Sequence, residues 1–280
     1  MSEPLDLYGV VGHPVAHSWS PFIHSMFARQ TGERLTYRLY DVPPERFRSH
    51  VLEFASSGGR GLNVTVPHKL AAAQLAGESS ERARVAGAAN TLTFTGGLVI
   101  ADNTDGVGLV RDLTVNLGLV LENRRILIAG AGGAARGVVG PLLGQSPVEI
   151  IVAGRTAERA RALAQQFESL GPVRGCALEE ISLGSFDLIV NATSASLAGE
   201  VPELPETAVG PVTTCYDMAY SRTETPFVRW AQERGCARAV QGWGMLVEQA
   251  AESFQIWRGV RPDTIPVLTL LERGAPLPPR

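Results

Sequence analysis

The first candidate for chemistry is Lys69, which ends the segment NVTVPHK (63–69). A lysine amine can serve as an acid and as a base, and a nearby carboxylate would position it. The turn DNTDG (102–106), which supplies Asp105, follows soon after in the chain. The alternative is an ordinary surface lysine at the start of a helix. A cation is unfavourable at a helix N-terminus, so the position points to another reason for a lysine there.

A second candidate is the glycine-rich turn that follows the apolar run ILIA (126–129). The turn has the layout of a dinucleotide-binding strand–turn–helix. Gly130 permits the tight turn, Gly132 lets a pyrophosphate approach, and Ala135 packs the helix against the strand. The phosphate oxygens would then face free backbone N–H groups at a helix N-terminus. A glycine pattern alone is weak, because such turns also serve plain α/β packing.

The end of the next apolar run (148–152) favours NADP over NAD. An NAD-binding unit carries an acidic residue about 20 residues beyond the glycines, where it holds the ribose 2′-hydroxyl. This chain has Arg155 at that point, with Arg159 four residues later. A guanidinium offers paired planar donors, which fit a 2′-phosphate better than a hydroxyl. The alternative is that both arginines are solvated charges at the start of a helix.

Composition limits the class of protein. The 280 residues suffice for one large domain or two ordinary ones. The sum of Lys and Arg is 25 against 28 for Asp and Glu, so neither nucleic acid nor an anionic membrane is expected as a partner. No apolar run approaches the ~20 residues of a bilayer-spanning helix, and residues 1–5 lack the features of a signal peptide.

The cysteines and histidines do not predict a metal site. The three cysteines, Cys176, Cys215 and Cys236, are odd in number and have no metal-like spacing, which is typical of reduced thiols in a cytoplasmic protein. His13 and His17 are four residues apart, but Pro14 argues against a helix that would carry both as ligands.

Strands and helices alternate along the first part of the chain, which predicts βαβ units and a parallel sheet. Ser20 is a good N-cap, with Pro21 as the first helical residue. The other predicted elements are strands at 7–11, 35–40 and 61–66, a helix at 45–55, and a hairpin of 91–94 with 98–101.

The alternation continues in the second part, where polar or small residues follow the predicted strands. Ligands of open α/β sheets bind beyond the carboxyl ends of the strands, so this edge is the expected site. The predicted elements are a helix at 106–116, strands at 126–129, 148–152, 186–190 and 214–218, and a helix from 242 to about 257. The proline-rich end, 276–280, is expected to fray.

Over nearly its full length the chain resembles the shikimate dehydrogenase family. The matching motifs, in chain order, are GHPVAHSWSP (12–21), NVTVPHK (63–69), GAANT (87–91), DNTDG (102–106), GAGGA (130–134), GRT (154–156), NAT (191–193), YDM (216–218) and GWGML (242–246). The resemblance implies two α/β domains flanking a cleft, the second a Rossmann-type doubly wound parallel sheet. The substrate-binding catalytic domain would be 1–104 with 242–280, and the NADP-binding domain 105–241.

The resemblance also implies an activity and its residues. The activity is the reversible NADPH-dependent reduction of 3-dehydroshikimate to shikimate, in aromatic amino acid (chorismate) biosynthesis. Lys69 and Asp105 would be the catalytic pair. The substrate contacts would be Ser18, Ser20, Thr65, Asn90, Asp105, Tyr220 and Gln249. The cofactor contacts would be Glu81, Gly130, Ala131, Gly132, Gly133, Ala134, Gly154, Arg155, Thr156, Arg159, Met218 and Gly242.

Two other functions are compatible with the sequence. One is a shikimate/quinate dehydrogenase of broader substrate and cofactor range. The other is a non-catalytic NADP-sensing module, which would need Gly130 and Arg155 but has no use for Lys69, Asp105 and Gln249. The expected partner in every case is a small molecule, and the protein is expected to be a monomer or a homodimer.

Overall fold

A computed structural model describes residues 5–181 and 184–274, so the proline-rich end lies outside the described residues. The chain folds into two compact units. The first unit contains the residues up to Gly108 and those from Leu246 onward, and the second unit is Leu109–Met245. Sequence analysis places the crossings after residues 104 and 241. The division into a substrate and a cofactor domain at those limits stays a prediction.

The elements of the first part, in chain order, are β1 (Asp6–Gly12), α1 (Ser20–Thr31), β2 (Leu35–Asp41), α2 (Phe47–Ser56), β3 (Gly59–Val64), α3 (Lys69–Leu75), β4 (Glu78–Ser79), α4 (Glu81–Ala86), β5 (Thr91–Thr95), β6 (Leu98–Asp102) and α5 (Asp105–Arg111). A π-helical turn, Asp112–Asn116, continues α5. The later elements are β7 (Arg125–Ala129), α6 (Gly133–Leu143), β8 (Glu149–Gly154), α7 (Ala157–Phe167), β9 (Val173–Ala177), β10 (Leu188–Asn191), β11 (Thr214–Asp217), α8 (Pro226–Glu233), β12 (Arg238–Gln241), α9 (Trp243–Arg258) and α10 (Ile265–Glu272).

The sheet of the first unit is mixed. Its strand order is β2-β1-β3-β5-β6-β4. Strand β1 pairs parallel with β2 and β3, whereas the predicted hairpin β5–β6 pairs antiparallel within itself and with β3. Because β5 runs backwards, its first residue and the last residues of β1, β3 and β6 lie at one edge of the sheet. Buried side chains of Val11, Leu62 and Leu92 lie in the core beneath.

The sheet of the second unit is parallel in every pairing, with the order β12-β11-β10-β7-β8-β9. This is the doubly wound order of dinucleotide-binding folds, with the strand order reversing between β7 and β10. Apolar side chains of β7, β8 and β10, among them Leu127, Ile151 and Ile189, are fully buried, as expected for a sheet covered on both faces. The predicted α/β class with a Rossmann-type second sheet is confirmed.

Two local predictions are wrong by one or two residues. Ser20 is the first helical residue of α1 and not its cap: Trp19 holds the N-cap position, without a side-chain hydrogen bond. The strand predicted at 61–66 ends at Val64. The chain turns there, since the N–H of His68 donates to the carbonyl of Thr65 (2.9 Å) and Pro67 has no N–H for a ladder. Thr65 and Pro67 therefore do not share a strand face with Asn63.

Candidate active site

Lys69 and Asp105 form an ion pair in the first unit. The Lys69 Nζ lies 2.6 Å from Asp105 Oδ2, and the two side chains are only 12% and 5% exposed. Lys69 is the first residue of α3 and Asp105 the first of α5. A carboxylate is favourable at a helix N-terminus and a cation is not, so Asp105 offsets the unfavourable position of Lys69. The pair is a buried proton donor and acceptor held at a fixed distance.

Lys69 is also the only lysine in the chain, since one Lys and 24 Arg make up the sum of 25. Arginine supplies positive charge but does not deprotonate in proteins, whereas lysine can exchange a proton. A chain that uses arginine at every other cationic position keeps lysine at the one place where proton transfer is expected. This composition signal marks Lys69 from the sequence, and sequence analysis missed it.

Asn90 connects the ion pair to the neighbouring elements. Its Nδ2 donates to Asp105 Oδ1 (2.9 Å), Thr104 Oγ1 (2.9 Å) and Gln249 Oε1 (3.2 Å). Its Oδ1 accepts from the backbone N–H of Thr104 (2.8 Å). Asn90 precedes β5 and Gln249 lies on α9, so one buried amide joins the hairpin, the start of α5 and the helix that returns to this unit. Four predicted site residues, Lys69, Asn90, Asp105 and Gln249, are thereby in one network.

The predicted residues Ser18, Ser20 and Thr65 lie at the same edge of the first sheet. Ser18 and Ser20 follow β1, and Ser18 Oγ lies 3.1 Å from Ser20 Oγ. Thr65 follows the adjacent strand β3, and its N–H donates to the carbonyl of Val11 (2.9 Å). The two hydroxyls at the start of α1 can donate to an anionic group. The N–H of Ser20 already donates to Ser18 Oγ (3.3 Å), and Pro21 has no N–H.

The glycine-rich turn of the second unit has the geometry of a phosphate cradle. Gly130 has a φ of 110°, a backbone conformation that residues with a side chain rarely adopt. Its N–H donates to the carbonyl of Ala153 (2.7 Å). Gly132 is the N-cap of α6, and a Cβ there would have no described atom within 4 Å. The first bond of the helix comes from Arg136 to Gly132. The N–H groups of Gly133 and Ala134 therefore have no partner within the helix and are available to an anion. Ala131 lies in the same turn.

The turn after β8 presents two exposed guanidiniums. Gly154 ends the strand, Thr156 occupies the N-cap of α7, and Arg159 lies in the first turn of that helix. Arg155 and Arg159 are exposed. Within residues 5–181 and 184–274, neither makes a hydrogen bond or an ion pair. Free planar donors beside a dinucleotide turn fit a 2′-phosphate, and Glu158, which lies between the two arginines in the chain, pairs with neither.

Met218 and Gly242 lie together at the carboxyl ends of β11 and β12. A Cβ on Gly242 would lie 2.5 Å from the carbonyl oxygen of Met218, so only glycine fits. Tyr220 follows in the same unit, with its ring centroid 4.7 Å from that of Trp243. Glu81 is the exception among the cofactor candidates, because it belongs to the first unit, where it is exposed and pairs with Arg84 (3.0 Å).

Asn191 and Asp217, which lie at the ends of predicted strands and belong to the motifs NAT (191–193) and YDM (216–218), form a buried cluster. Asn191 Nδ2 donates to Asp217 Oδ1 (3.0 Å), and Ser196 Oγ donates to Asp217 Oδ2 (2.6 Å). Burial raises the pKa of Asp217, opposed by hydrogen bonds from Ser196 and other donors. The N–H of Met218 donates to the carbonyl of Asn191 (3.0 Å), so this cluster supports the loop that carries Met218.

The described part of the chain contains no group of three or more His, Cys, Asp or Glu side chains that could hold a metal ion. None of its helices is both long enough and apolar enough to cross a bilayer.

Three families of known domains match the chain. They are described as the shikimate dehydrogenase substrate binding domain (residues 10–92), shikimate / quinate 5-dehydrogenase (114–201) and the shikimate 5′-dehydrogenase C-terminal domain (242–270). A shikimate dehydrogenase (NADP(+)) of Methylococcus capsulatus is 52% identical over 273 residues, which cover 97% of this chain and 98% of that protein.

Solved structures of similar fold agree with these sequence matches. The crystal structure of an Ael1 enzyme from Pseudomonas putida has a TM-score of 0.88 at 45% identity, covering 97% of this chain and 100% of that one. Shikimate 5-dehydrogenase from Thermus thermophilus, in complex with NADP(H) and shikimate, has a TM-score of 0.84 at 32% identity, covering 96% and 99%. With relatives above 50% identity along almost the whole chain and a site of the expected residue types, this protein belongs to the shikimate dehydrogenase family.

Proposed function

We propose that the protein catalyses the reversible NADPH-dependent reduction of 3-dehydroshikimate to shikimate, in aromatic amino acid biosynthesis. The observation that carries the proposal is the buried Lys69–Asp105 pair, bonded through Asn90 to Gln249. The names of the relatives and the shikimate and NADP(H) bound in the Thermus thermophilus structure support it. A non-catalytic sensor has no need of a buried acid–base pair, so this alternative is disfavoured.

The residues would divide the reaction as follows. NADPH, held by the residues of the second unit, would supply the hydride for the carbonyl carbon of the substrate. The ammonium of Lys69 gives a proton to the carbonyl oxygen, which becomes the hydroxyl, and takes it back in the reverse direction. Asp105 accepts the hydrogen bond that holds Lys69 in place, and Asn90 fixes the other oxygen of Asp105. Ser18 and Ser20 would donate to the carboxylate of the substrate, with Thr65, Gln249 and Tyr220 as further contacts.

The cofactor residues would separate into two roles. Gly130–Ala134 would hold the pyrophosphate through backbone N–H groups, and Arg155, Thr156 and Arg159 would hold the 2′-phosphate. Gly154, Met218 and Gly242 would be further cofactor contacts. Glu81 would be a further cofactor contact, from the first unit.

One assay tests the proposal and its main alternative. The family description of residues 114–201 names quinate beside shikimate, so a dehydrogenase that accepts both remains the second candidate. Initial rates with shikimate and with quinate, each with NADP and with NAD, should show the highest kcat/KM for shikimate with NADP. Equal values for quinate would establish the broader enzyme, and no oxidation of shikimate would overturn the proposal.

The proposed function includes a location in the cytoplasm and an oligomeric state. Cys176, Cys215 and Cys236 are free thiols, which accords with a cytoplasmic enzyme. The protein would act as a monomer or a homodimer, and sedimentation would distinguish them.

A further inference from the structure

Arg82, on α4, makes three charge-assisted hydrogen bonds to two different segments of the first unit. Its Nε and Nη2 donate to the two oxygens of Asp102, at 2.5 and 3.0 Å. Its Nη1 donates to Glu252 Oε1 at 3.0 Å. The three side chains are between 17% and 29% exposed. The planar fork of arginine can hold two carboxylates at once, which a lysine cannot do.

The first segment that Arg82 holds is the turn leading to Asp105. Asp102 Oδ1 also accepts from the N–H of Asn103 (2.6 Å) and from Ser80 Oγ (2.6 Å), and the carbonyl of Asp102 accepts from the N–H of Asn90 (3.1 Å). Movement of Asp102 would therefore be transmitted to Asn90 and Asp105. The carboxylate that pairs with Lys69 depends on this anchor for its position.

The second segment is α9, which carries Gln249. Glu252 lies three residues after Gln249, within one helical turn. Arg261 holds the same helix through Glu252 Oε2 (2.8 Å) and the buried Glu248 (2.7 Å). The Arg261 contacts tie α9 to the chain that follows it. The Arg82 contacts tie α9 to the turn bearing Asp105, through Glu252 and Asp102.

We propose that Arg82 is a positioning residue that clamps the Asp105 turn to α9, so that Asp105, Asn90 and Gln249 keep the geometry of the substrate site. At the site itself, the bonds between these segments are neutral: Asn90 to Gln249 (3.2 Å), Thr104 to Gln249 (3.5 Å) and Thr104 to Ser253 (3.2 Å). Charge-assisted pairs are roughly twice as strong as neutral ones. The predicted effect of Arg82 on catalysis rests on the proposed function. Its predicted effect on the position of Lys69 does not depend on which substrate the enzyme uses.

Arg84 provides a matched control. It lies on the same short helix, two residues later, and within the described residues its ion pair is with the exposed Glu81. Arg82→Ala should lower kcat/KM for shikimate by roughly 10- to 100-fold, because small displacements of catalytic groups have effects of this size. Both kcat and KM should change, while the Kd of NADP stays within twofold. Arg82→Lys should recover part of the loss, since lysine can pair with one carboxylate. Arg84→Ala should resemble the wild type.

Because Lys69 is the only lysine, its modification reports on the clamp directly. The rate at which an amine-directed reagent labels Lys69, followed by mass spectrometry of the peptide, should rise several-fold in Arg82→Ala, since the pair with Asp105 must open before the amine reacts. The rate should be unchanged in Arg84→Ala. This measurement does not use a substrate, so a wild type inactive on shikimate would overturn the proposed function alone.

Folded Arg82→Ala protein with wild-type kcat, KM and labelling rate would overturn the clamp. A loss of thermal stability with those three values unchanged would do the same, and would leave Arg82 a structural residue. If Arg82→Ala does not fold, Arg82→Lys and Glu252→Gln give the answer. Both should lower kcat/KM and speed labelling, and their effects should not add in the double variant. Wild-type behaviour of both would overturn the inference.

Discussion

The two candidate sites differ in how complete they are without a ligand. In the first unit, the side chains with the expected chemistry are bonded to one another: Lys69 to Asp105, and Asn90 to Asp105 and Gln249. In the second unit, the groups expected to bind are unsatisfied: exposed Arg155 and Arg159, and the N–H groups at the start of α6, all within the described part of the chain. Acid–base chemistry requires preorganised partners, whereas a phosphate brings its own acceptors. Each site therefore has the organisation that its proposed task requires.

The largest effect should come from breaking the preorganised site at Lys69. Lys69→Arg retains the positive charge and can still pair with Asp105, but it removes the group that exchanges a proton. Turnover should fall by ~10²–10⁴-fold, the usual contribution of a general acid–base group. Lys69→Met should lose as much, and the Kd of NADP should be nearly unchanged in both. Substantial turnover by Lys69→Arg would show that charge is the contribution of this residue, and not proton transfer.

In the second unit, loss of a hydrogen-bond donor should lower the affinity for NADP and not the turnover. Arg155→Ala removes charge-assisted bonds to the 2′-phosphate worth about 1.5–3 kcal/mol, so NADP should bind roughly 10- to 100-fold more weakly. Arg159→Ala should act similarly. Titration with NAD, which lacks the phosphate, is the control and should be little affected. Equal losses for NADP and NAD would exclude a specific role in reading the phosphate.

The two units should also differ in their response to acid. In the first unit, His24 is fully buried and stacked on Tyr37, with ring centroids 4.2 Å apart, and burial lowers its pKa to about 3. The neighbouring Asn63 directs its amide N–H groups to other partners. Unfolded histidine has a pKa near 6.5, so below that pH the unfolded chain takes up a proton that the folded one does not. The free energy of unfolding should fall by ~2 kcal/mol from pH 6.5 to pH 5.

Urea unfolding at several pH values measures this dependence, and His24→Phe should flatten it. Protonation of Asp217, in the second unit, changes the free energy of unfolding in the opposite direction. Because its folded pKa is raised, the folded state binds the extra proton, and this contribution to stability grows as the pH falls through the folded pKa towards 3.8. Asp217→Asn should therefore remove this increase in the free energy of unfolding at low pH. Parallel pH profiles for the wild type and His24→Phe would contradict the histidine prediction.

The smallest expected effects come from alanine substitutions at two glycines of the same turn, which should change different properties. A methyl group on Gly132 meets no described atom within 4 Å, so Gly132→Ala should leave thermal stability unchanged. The methyl would instead occupy the space of the pyrophosphate and weaken NADP by about tenfold, or ~1.4 kcal/mol. Gly130→Ala should cost ~1–3 kcal/mol of stability, because its φ of 110° is strained for any side chain and the methyl would lie 3.1 Å from the backbone of Ala192. Calorimetry and NADP titration of both variants distinguish them.

Much of the second unit was predictable from local patterns. Its strands are continuous apolar runs, and the turn at Gly130 needs a residue that tolerates positive φ. Those properties are local to a few residues, so the sequence contains them directly. Strands β9 and β12 were missed because they are short and partly exposed, with polar residues such as Arg174 and Arg238. Their place follows from pairing with β8 and β11, which no local pattern expresses.

The chemistry available to this protein can be read from its residues in order: one lysine able to exchange a proton, a glycine turn for a pyrophosphate, and arginines in place of an acid after the next strand. Which of these groups meet is a property of the folded chain. Asn90 bonds to Gln249, 159 residues away, and Arg82 to Glu252, 170 residues away. Element types follow from local spacing, but contacts at such separations depend on strand order, register and the return of α9 to the first unit. Those are set by packing of the whole chain.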